Sequence, residues 1–461
     1  MNKKYPLTAA QNMHYEWIRE YGTQQVSGLS VVASLNAQLD FGLLKKCIQL
    51  EIERYGCLRL RFTKPDKNGK IMQYLVKKDP RDIPFKDMSG MTMEQADREM
   101  QQWAYQTFDG DDIPMCEFLM LKLPEGYNGF FVHMDHRLID SCGLVVMIND
   151  IMSLYTHYRF GSEYPADLAD FESVLENDIN KASNEKRFAK DKKFWDDQLD
   201  ALGEPLYSDI QGPSVLEESR KKHKNKKLRS ADFEHENLMV AVKDYILEPD
   251  SSKGLMDFCM NHQVSMTNLI LLSMRTYLSK VNNGQEDITI ENFISRRSTH
   301  DEWTSGGSRT IMFPCRTVIT PDTEFLAAAY EIQNIQNRIY MHSNYDPEYI
   351  REEMKKRYNI PDNTRYESCY LTYQPMPVKM DNPFLKEIKQ HSKWFANGAA
   401  TKKMYLTVSH TENGGMNFSY HYQVASLTEK DMELLYYYMM RILFTGISDP
   451  AKTVGEIMEQ V

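Results

Sequence analysis

The hydrophobic pattern of residues 130–160 predicts a buried strand, a polar turn and a helix. Phe130 to Val132 is an uninterrupted apolar run, which is typical of a strand that is buried on both faces. Polar residues interrupt this run, and the apolar residues after them recur at helical spacing, at Leu144, Ile148, Ile151 and Tyr155. The turn between strand and helix can therefore hold polar side chains in fixed positions.

Strand and helix patterns alternate in both halves of the chain. The predicted strands are residues 30–35, 58–62, 116–123, 238–247, 288–294, 310–319, 368–374, 404–410 and 416–424. The predicted helices are one capped by Asp40, residues 91–107, 252–261 and 267–280, and a last helix that opens with a capping box at Ser426–Glu429. This alternation predicts an α/β fold with mixed sheets that are covered by helices.

A polar stretch at residues 159–185 predicts a crossover between two domains. We therefore expect an N-terminal lobe of residues 1–175, which carries the polar turn, and a C-terminal lobe of residues 176–461. The basic run from Ser219 to Arg229 predicts a solvated hairpin or a disordered loop. A landing site for an acidic partner or for phosphates is the alternative.

Composition and charge argue against several classes of protein, namely nucleic-acid-binding, membrane-spanning and secreted proteins. The 461 residues are 42% hydrophobic and 26% charged, and the net charge of -10 disfavours nucleic acid as a partner. No apolar run approaches the ~18–20 residues of a membrane span, and the first residues lack the apolar segment of a signal peptide. Seven cysteines without C-x-x-C pairs indicate a reducing compartment. We expect a cytoplasmic monomer without membrane contact.

His136 is the candidate catalytic residue of the turn. An imidazole with a reference pKa near ~6.5 can take and return a proton at neutral pH, as acyl transfer requires. Asp140 lies at the start of the next helix, where the dipole stabilises a carboxylate by roughly 0.3–1 kcal/mol. Alternation along residues 58–62 turns Arg59 away from the apolar face, so Arg59 could supply a cation for Asp140. The alternatives are a surface turn with a stray histidine and a solvated sheet face.

Other chemistries lack support in the sequence. No phosphate-binding or dinucleotide-binding glycine motif and no H-E-x-x-H motif occurs. His133, His136 and Cys142 are conceivable zinc ligands, but no paired Cys/His spacing accompanies them, and we predict no metal site. Cys142 is a conceivable thiolate nucleophile, although a free cysteine at a helix start is more often small filler.

The order of these segments resembles the condensation domains of nonribosomal peptide synthetases, within the wider chloramphenicol-acetyltransferase-like acyltransferase superfamily. Residues 135–141, DHRLIDS, are similar to the H-H-x-x-x-D-G motif of that family. Further similarities to family motifs are residues 8–11 (TAAQ) to S-x-A-Q, 54–62 (RYGCLRLRF) to R-H-E-x-L-R-T-x-F, 193–199 (KFWDDQL) to Y-W-x-x-x-L, and 307–316 (GSRTIMFPCR) to G-x-F-V-N-T-x-P-x-R.

The resemblance implies a V-shaped pseudo-dimer of two lobes, with His136 at the middle of a tunnel between them. It implies that His136 promotes attack of an amine or hydroxyl acceptor on an acyl thioester, and that Asp140 is a structural residue held by Arg59. The donor would be an acyl-phosphopantetheine or acyl-CoA, with no tightly bound cofactor. Because no adenylation-like or carrier-like region accompanies the motifs, we expect a free-standing member that works with an acyl or peptidyl carrier protein in trans.

Residues 310–312, TIM, replace V-N-T of the family pattern, and three single positions also depart from it. Asp135 replaces the first histidine, Ser141 replaces the glycine, and Arg309 replaces a phenylalanine. Together with Gly143, these residues are the predicted lining of the substrate channel. The departures keep two alternatives open: a non-catalytic module that binds a carrier protein or an acylated ligand, and a transferase that uses CoA alone.

Overall fold

A computed structural model describes residues 2–108, 110–376 and 378–461 of the chain. Internal contacts divide it into two compact units. The first unit comprises the chain up to Ser183 together with Ser295–Thr310 and Val378–Ala399, and the second comprises the remainder. The sequence predicts one boundary at residue 175, whereas two later segments pack with the first unit. The lobes 1–175 and 176–461 stay a prediction, which limited proteolysis would test.

The secondary structure alternates as the sequence predicts. Up to Ser183 the elements are β1 (Tyr5–Pro6), α1 (Ala9–Tyr21), β2 (Gly28–Leu35), α2 (Phe41–Arg54), β3 (Leu60–Phe62), β4 (Met72–Leu75), β5 (Phe85–Asp87), α3 (Met93–Ala104), β6 (Cys116–Lys122), β7 (Asn128–Asp135), α4 (Ser141–Phe160) and α5 (Phe171–Ala182). Short 3₁₀ turns occur at Gln24–Ser27, Gly56–Arg59 and Pro124–Gly126.

From residue 184 onward the same mixture continues. The elements are α6 (Glu185–Leu202), α7 (Ser214–Lys222), β8 (Ala231–Asp232), β9 (Val240–Leu247), α8 (Pro249–His262), α9 (Met266–Val281), β10 (Asp287–Ser295), α10 (His300–Thr304), β11 (Thr310–Val318), α11 (Phe325–Met341), α12 (Pro347–Tyr358), β12 (Thr364–Arg365), β13 (Cys369–Gln374), β14 (Gln390–Phe395), β15 (Met404–His410), β16 (Met416–Gln423), α13 (Glu429–Ser448) and α14 (Val454–Gln460).

The first unit is built on a five-stranded sheet of order β14-β2-β7-β6-β5. All its pairs are antiparallel except the parallel pair of β5 and β6. The helices α2 and α4 cover one face with apolar side chains at helical spacing, and these join the strands in one core. The cap of α2 is Asp40, as predicted, and its carboxylate accepts a hydrogen bond from the amide of Leu43 at 3.0 Å.

The second unit is built on a six-stranded sheet of order β11-β10-β13-β15-β16-β9. The pairs β10–β13 and β13–β15 are parallel, whereas β15–β16 and β16–β9 are antiparallel. Its core packs this sheet against α9, α11 and α13. Mixed sheets covered by helices in both units confirm the predicted α/β class. Within the described residues, no helix is long and apolar enough to cross a membrane.

Three local predictions are wrong. Residues 58–62 do not form one alternating strand, because a 3₁₀ turn runs to Arg59 before β3 begins. The basic run starts inside α7, whose last turn carries Arg220, Lys221 and Lys222, where the helix dipole favours cations. The last helix is capped by a box of Thr428 and Asp431 instead of Ser426 and Glu429.

Candidate active site at the turn after β7

The backbone of the turn between β7 and α4 is fixed by hydrogen bonds on both sides. The amide of His136 donates to the carbonyl of Ser27 at 2.7 Å, and the amide of Asp135 donates to the carbonyl of Met115 at 2.9 Å. Within the turn, the amide of Leu138 donates to the carbonyl of Asp135 at 2.9 Å. The chain therefore presents His136 at a rigid position, as the sequence predicts for a strand–turn–helix segment.

The His136 side chain is half-buried and stacks on a second imidazole. Its ring lies 4.2 Å from the ring of His14, centroid to centroid, with 18° between the two planes. His14 is buried on α1 and meets the edge of Trp17 at 4.9 Å. Nε2 of the Gln11 side chain ties α1 to the turn by donating to the carbonyl of Arg137 at 3.2 Å. Packing against α1 thus orients the His136 ring.

Sequence reasoning missed His14. Gln11 and His14 are three positions apart on α1 and so share the face that meets the turn. The spacing of Gln11 and His14 in the sequence indicates a shared helix face. It does not indicate that this face contacts the turn that carries His136.

Asp140 is fully buried and is held by donors from a distant segment. Its two oxygens accept hydrogen bonds from Nη1 and Nη2 of Arg297, both at 2.8 Å. The amides of Gly143, Arg309 and Thr310 donate at 3.1, 2.9 and 3.0 Å, and the hydroxyl of Thr310 donates at 3.0 Å. Burial by itself raises the pKa of Asp140, but the charge and hydrogen bonds of Arg297 and the amides hold it below its usual value. Asp140 is therefore an ionised anchor that joins α4 to residues 297–310.

The predicted pair of Arg59 and Asp140 is wrong. Arg59 ends a 3₁₀ turn, and its guanidinium donates to the carbonyls of Ile52 at 2.8 Å and Val76 at 3.1 Å and also to that of Glu53. The carbonyls at the end of α2 lack helical partners and attract a cation, which explains where Arg59 points. Arg297 takes the place that the sequence assigned to Arg59.

Asp135 braces the turn from within. Its buried carboxylate accepts hydrogen bonds from Nε and Nη2 of Arg137 at 2.9 and 2.8 Å. It also accepts from the hydroxyl of Ser27 at 3.1 Å and from Nε2 of the Gln24 side chain at 2.9 Å. Burial raises the pKa of Asp135, and Arg137 more than offsets this, so the carboxyl stays ionised. Asp135 therefore belongs to the network that faces the core.

The other predicted channel residues lie at the start of α4 and beside Asp140. Gly143 is buried, and an added Cβ would approach Cγ1 of Ile139 to 2.7 Å. Ser141, the first residue of α4, is half-buried. Arg309 is buried, and its guanidinium pairs with Asp178. A channel role for these residues and for Asp135 stays a prediction.

The remaining candidates have structural environments. His133 bonds through its two ring nitrogens to the hydroxyl of Ser30 at 2.8 Å and the carbonyl of Gln106 at 3.1 Å, and burial lowers its pKa. Burial raises the pKa of Cys142 to about 11, so it is a thiol at neutral pH and a poor nucleophile. Across residues 2–108, 110–376 and 378–461, no three His, Cys, Asp or Glu side chains are grouped to hold a metal ion.

The arrangement can perform acid–base chemistry at one imidazole. His136 is the half-buried histidine of the turn. The carboxylates on either side of it form ion pairs, Asp135 with Arg137 and Asp140 with Arg297. Both aspartates therefore fix the backbone that carries His136.

Comparison with known proteins places the chain. The family model described as "Condensation domain" matches residues 1–459. Surfactin synthase subunit 1 of Bacillus subtilis (strain 168) is 22% identical over 98% of this chain, which spans only 12% of that subunit. Among solved structures, a variant of the starter condensation domain of rhizomide synthetase RzmA in complex with C8-CoA has a TM-score of 0.78 at 16% identity, covering 98% of this chain and 97% of that one. VibH, an NRPS condensation enzyme, has a TM-score of 0.73 at 14% identity, covering 96% of this chain and 99% of that one.

The match of a family model across nearly the whole chain carries the assignment, and the solved structures show the same fold. The chain belongs to the condensation-domain family, whose members are acyltransferases.

Proposed function

We propose that this protein moves an acyl group from a thioester to an amine or hydroxyl acceptor, with His136 as the general base. The thioester would be carried on the phosphopantetheine of an acyl or peptidyl carrier protein in trans, or on CoA. Nonribosomal peptide or related secondary-metabolite biosynthesis is the proposed setting. The cytoplasmic location and the monomeric state stay predictions.

The observation that carries the proposal is the rigid presentation of one half-buried imidazole. The backbone of His136 is bonded to Ser27, its ring is stacked on His14, and the turn is anchored through Asp140 to Arg297. A base that is held in place loses little freedom on reaction, and general-base catalysis contributes about 10²–10⁴ in rate.

In the proposed step, the acceptor nitrogen or oxygen attacks the carbonyl carbon of the thioester. His136 takes the proton that the acceptor loses. The tetrahedral intermediate then expels the sulfur, so the C–S bond breaks, and the imidazolium returns the proton to the leaving thiolate. The products are an amide or an ester and a free thiol.

A CoA-linked donor is a reasonable first substrate, because one structural neighbour is described in complex with C8-CoA. The experiment incubates the protein with C8-CoA, or with the same acyl group on a carrier protein, and with a panel of amines and alcohols. Intact-mass measurement is expected to show an acceptor that gains the acyl mass while the donor loses it. The preferred donor would separate the carrier-protein and CoA forms of the proposal.

A second candidate function is binding without chemistry. Asp135 stands where the family motif has its first histidine, and its carboxylate is occupied by Arg137. Transfer from neither donor, together with binding of an acylated carrier protein, would favour this second candidate.

A further inference from the structure

One face of α5 contacts the segment of the first unit that holds Asp140. This segment comprises residues 295–310, and we call it the anchor segment. Phe171, Asp178 and Lys181 of α5 are separated by seven and three positions, so they lie on one side of the helix. All three residues contact the anchor segment. The helix α5 is therefore the support on which the anchor segment rests.

Two of the contacts fix the middle of the anchor segment. The ring of Phe171 lies beside Gly307, where an added Cβ would approach Cε2 of Phe171 to 2.7 Å. Nζ of Lys181 donates to the carboxylate of Glu302 on α10 at 2.9 Å. The same carboxylate accepts a hydrogen bond from the amide of Ser298 at 2.8 Å. Close packing and an ion pair thus hold both α10 and the glycine that follows it against α5.

The third contact is made by Arg309, which bridges two aspartates. Its backbone amide donates to Oδ2 of Asp140 at 2.9 Å, and its guanidinium donates to the carboxylate of Asp178. The side chains of Arg309 and Asp178 are 7% and 17% exposed, so salt screens this ion pair only weakly. The amide and the hydroxyl of Thr310 donate to the same oxygen of Asp140, both at 3.0 Å. A movement of Arg309 would therefore displace three donors of Asp140 together.

We propose that Asp178 and Arg309 are positioning residues for acyl transfer. Asp178 holds Arg309, the donors at and next to Arg309 hold Asp140, and Asp140 fixes the start of α4 directly after the turn of His136. The inference rests on the proposed role of His136 as general base, and it gives Arg309 a role other than lining the substrate channel. A displacement of about 1 Å in a reacting group can cost about 10²-fold in rate, so a small shift of the turn is measurable.

The kinetic test removes the ion pair from either side. Asp178→Asn and Arg309→Met are each expected to lower kcat for acyl transfer by about tenfold and to leave KM within about twofold. Arg309→Lys, which keeps a cation beside Asp178, is expected to be faster than Arg309→Met. The matched control is Asp150→Asn, which breaks a pair with Arg54 of similar burial, with side chains 6% and 15% exposed. The hydrogen-bond partners of Arg54 lie outside the anchor segment, so kcat should stay at the wild-type value.

Hydrogen–deuterium exchange gives a second readout, which does not depend on activity. A peptide that covers residues 305–312 contains the amides of Arg309 and Thr310, which bind Asp140. This peptide is expected to exchange several-fold faster in Asp178→Asn than in the wild type or in Asp150→Asn, because the anchor segment opens more often. A wild type that transfers no acyl group would refute the proposed function, whereas faster exchange in Asp178→Asn would still show the link from α5 to Asp140.

Four results would overturn the positioning role. Unchanged exchange in Asp178→Asn would mean that the ion pair does not hold the anchor segment. Unchanged kcat in Asp178→Asn would mean that holding the segment does not matter for transfer. A raised KM at unchanged kcat in Arg309→Met would mean that Arg309 lines the substrate channel. An equal loss of kcat in Asp150→Asn would mean that a general loss of stability is the cause.

Discussion

Replacing Arg297 with methionine is expected to destabilise the first unit. The loss should be larger than the loss from replacing Arg59, the arginine that the sequence predicts as the partner of Asp140. The side chains of Arg297 and Asp140 are 0% and 1% exposed, so the substitution leaves an ionised carboxylate without its counter-charge in a dry site. Removing one partner of a buried pair costs about 3–5 kcal/mol. Three backbone amides and the hydroxyl of Thr310 still bond to Asp140, which places the expected loss near the lower end of this range.

Urea unfolding followed by circular dichroism measures this loss, with free energies from linear extrapolation. The matched control is Arg59→Met, which removes an arginine that is bonded to backbone carbonyls only and is expected to cost about 1–2 kcal/mol. In a double-mutant cycle, Asp140→Asn combined with Arg297→Met should cost less than the sum of the two single changes. Additive losses, or a larger loss in Arg59→Met, would refute the assignment of Arg297 as the partner of Asp140.

The same pair sets a pH dependence. The folded pKa of Asp140 is held below the unfolded value of about 3.9, so the stabilisation from its ionisation is present above that value. It is lost as the pH falls through the folded pKa. The unfolding free energy of the wild type should therefore drop below about pH 4, and this component of the drop should be smaller in Arg297→Met.

Three further predictions concern neighbouring residues. His14→Ala should lower kcat for acyl transfer more than it changes KM, and His14→Phe, which keeps a stacked ring, should restore it; a Phe variant as slow as the Ala variant would contradict the positioning role. Burial raises the pKa of Glu51, so above about pH 4.5 the unfolded chain loses a proton that the folded chain keeps, and the free energy of unfolding falls. Glu51→Gln should therefore raise the Tm by about 2–4 °C at pH 8 and by less at pH 4.5. An equal rise at both pH values would show that the raised pKa of Glu51 is not the cause. Gly143→Ala should cost about 1–3 kcal/mol in urea unfolding because its Cβ meets Ile139, whereas Gly254→Ala on α8, with open space around it, should cost nothing; equal costs would show that crowding is not the cause.

Elements with a strong local pattern were predictable from the sequence. The strand β15 has the predicted bounds, and α9 differs from prediction by one residue at each end, because each carries its hydrophobic period within a short window. The turn at His136 was predictable for the same reason, since an apolar strand leads into it and a regular helix leaves it.

Features that depend on distant contacts were not predictable. The partner of Asp140 lies 157 positions along the chain, and the alternation around Arg59 pointed to a nearer cation. The strand β14 begins with polar residues and joins the sheet by pairing with β2, which lies far from it in the sequence. The stack of His14 on His136 likewise joins two residues that are far apart in the sequence, so no local pattern predicts their contact.

The most direct test of the central claim is the acyl-transfer rate of His136→Ala, measured in single turnover with the donor and acceptor identified by the mass screen. The control is His157→Ala, which removes a half-buried histidine near the other end of α4. The account predicts that both variants keep the circular dichroism spectrum of the wild type, and that only His136→Ala loses about 10²–10⁴ in rate. A fully folded His136→Ala that turns over as fast as the wild type would contradict it.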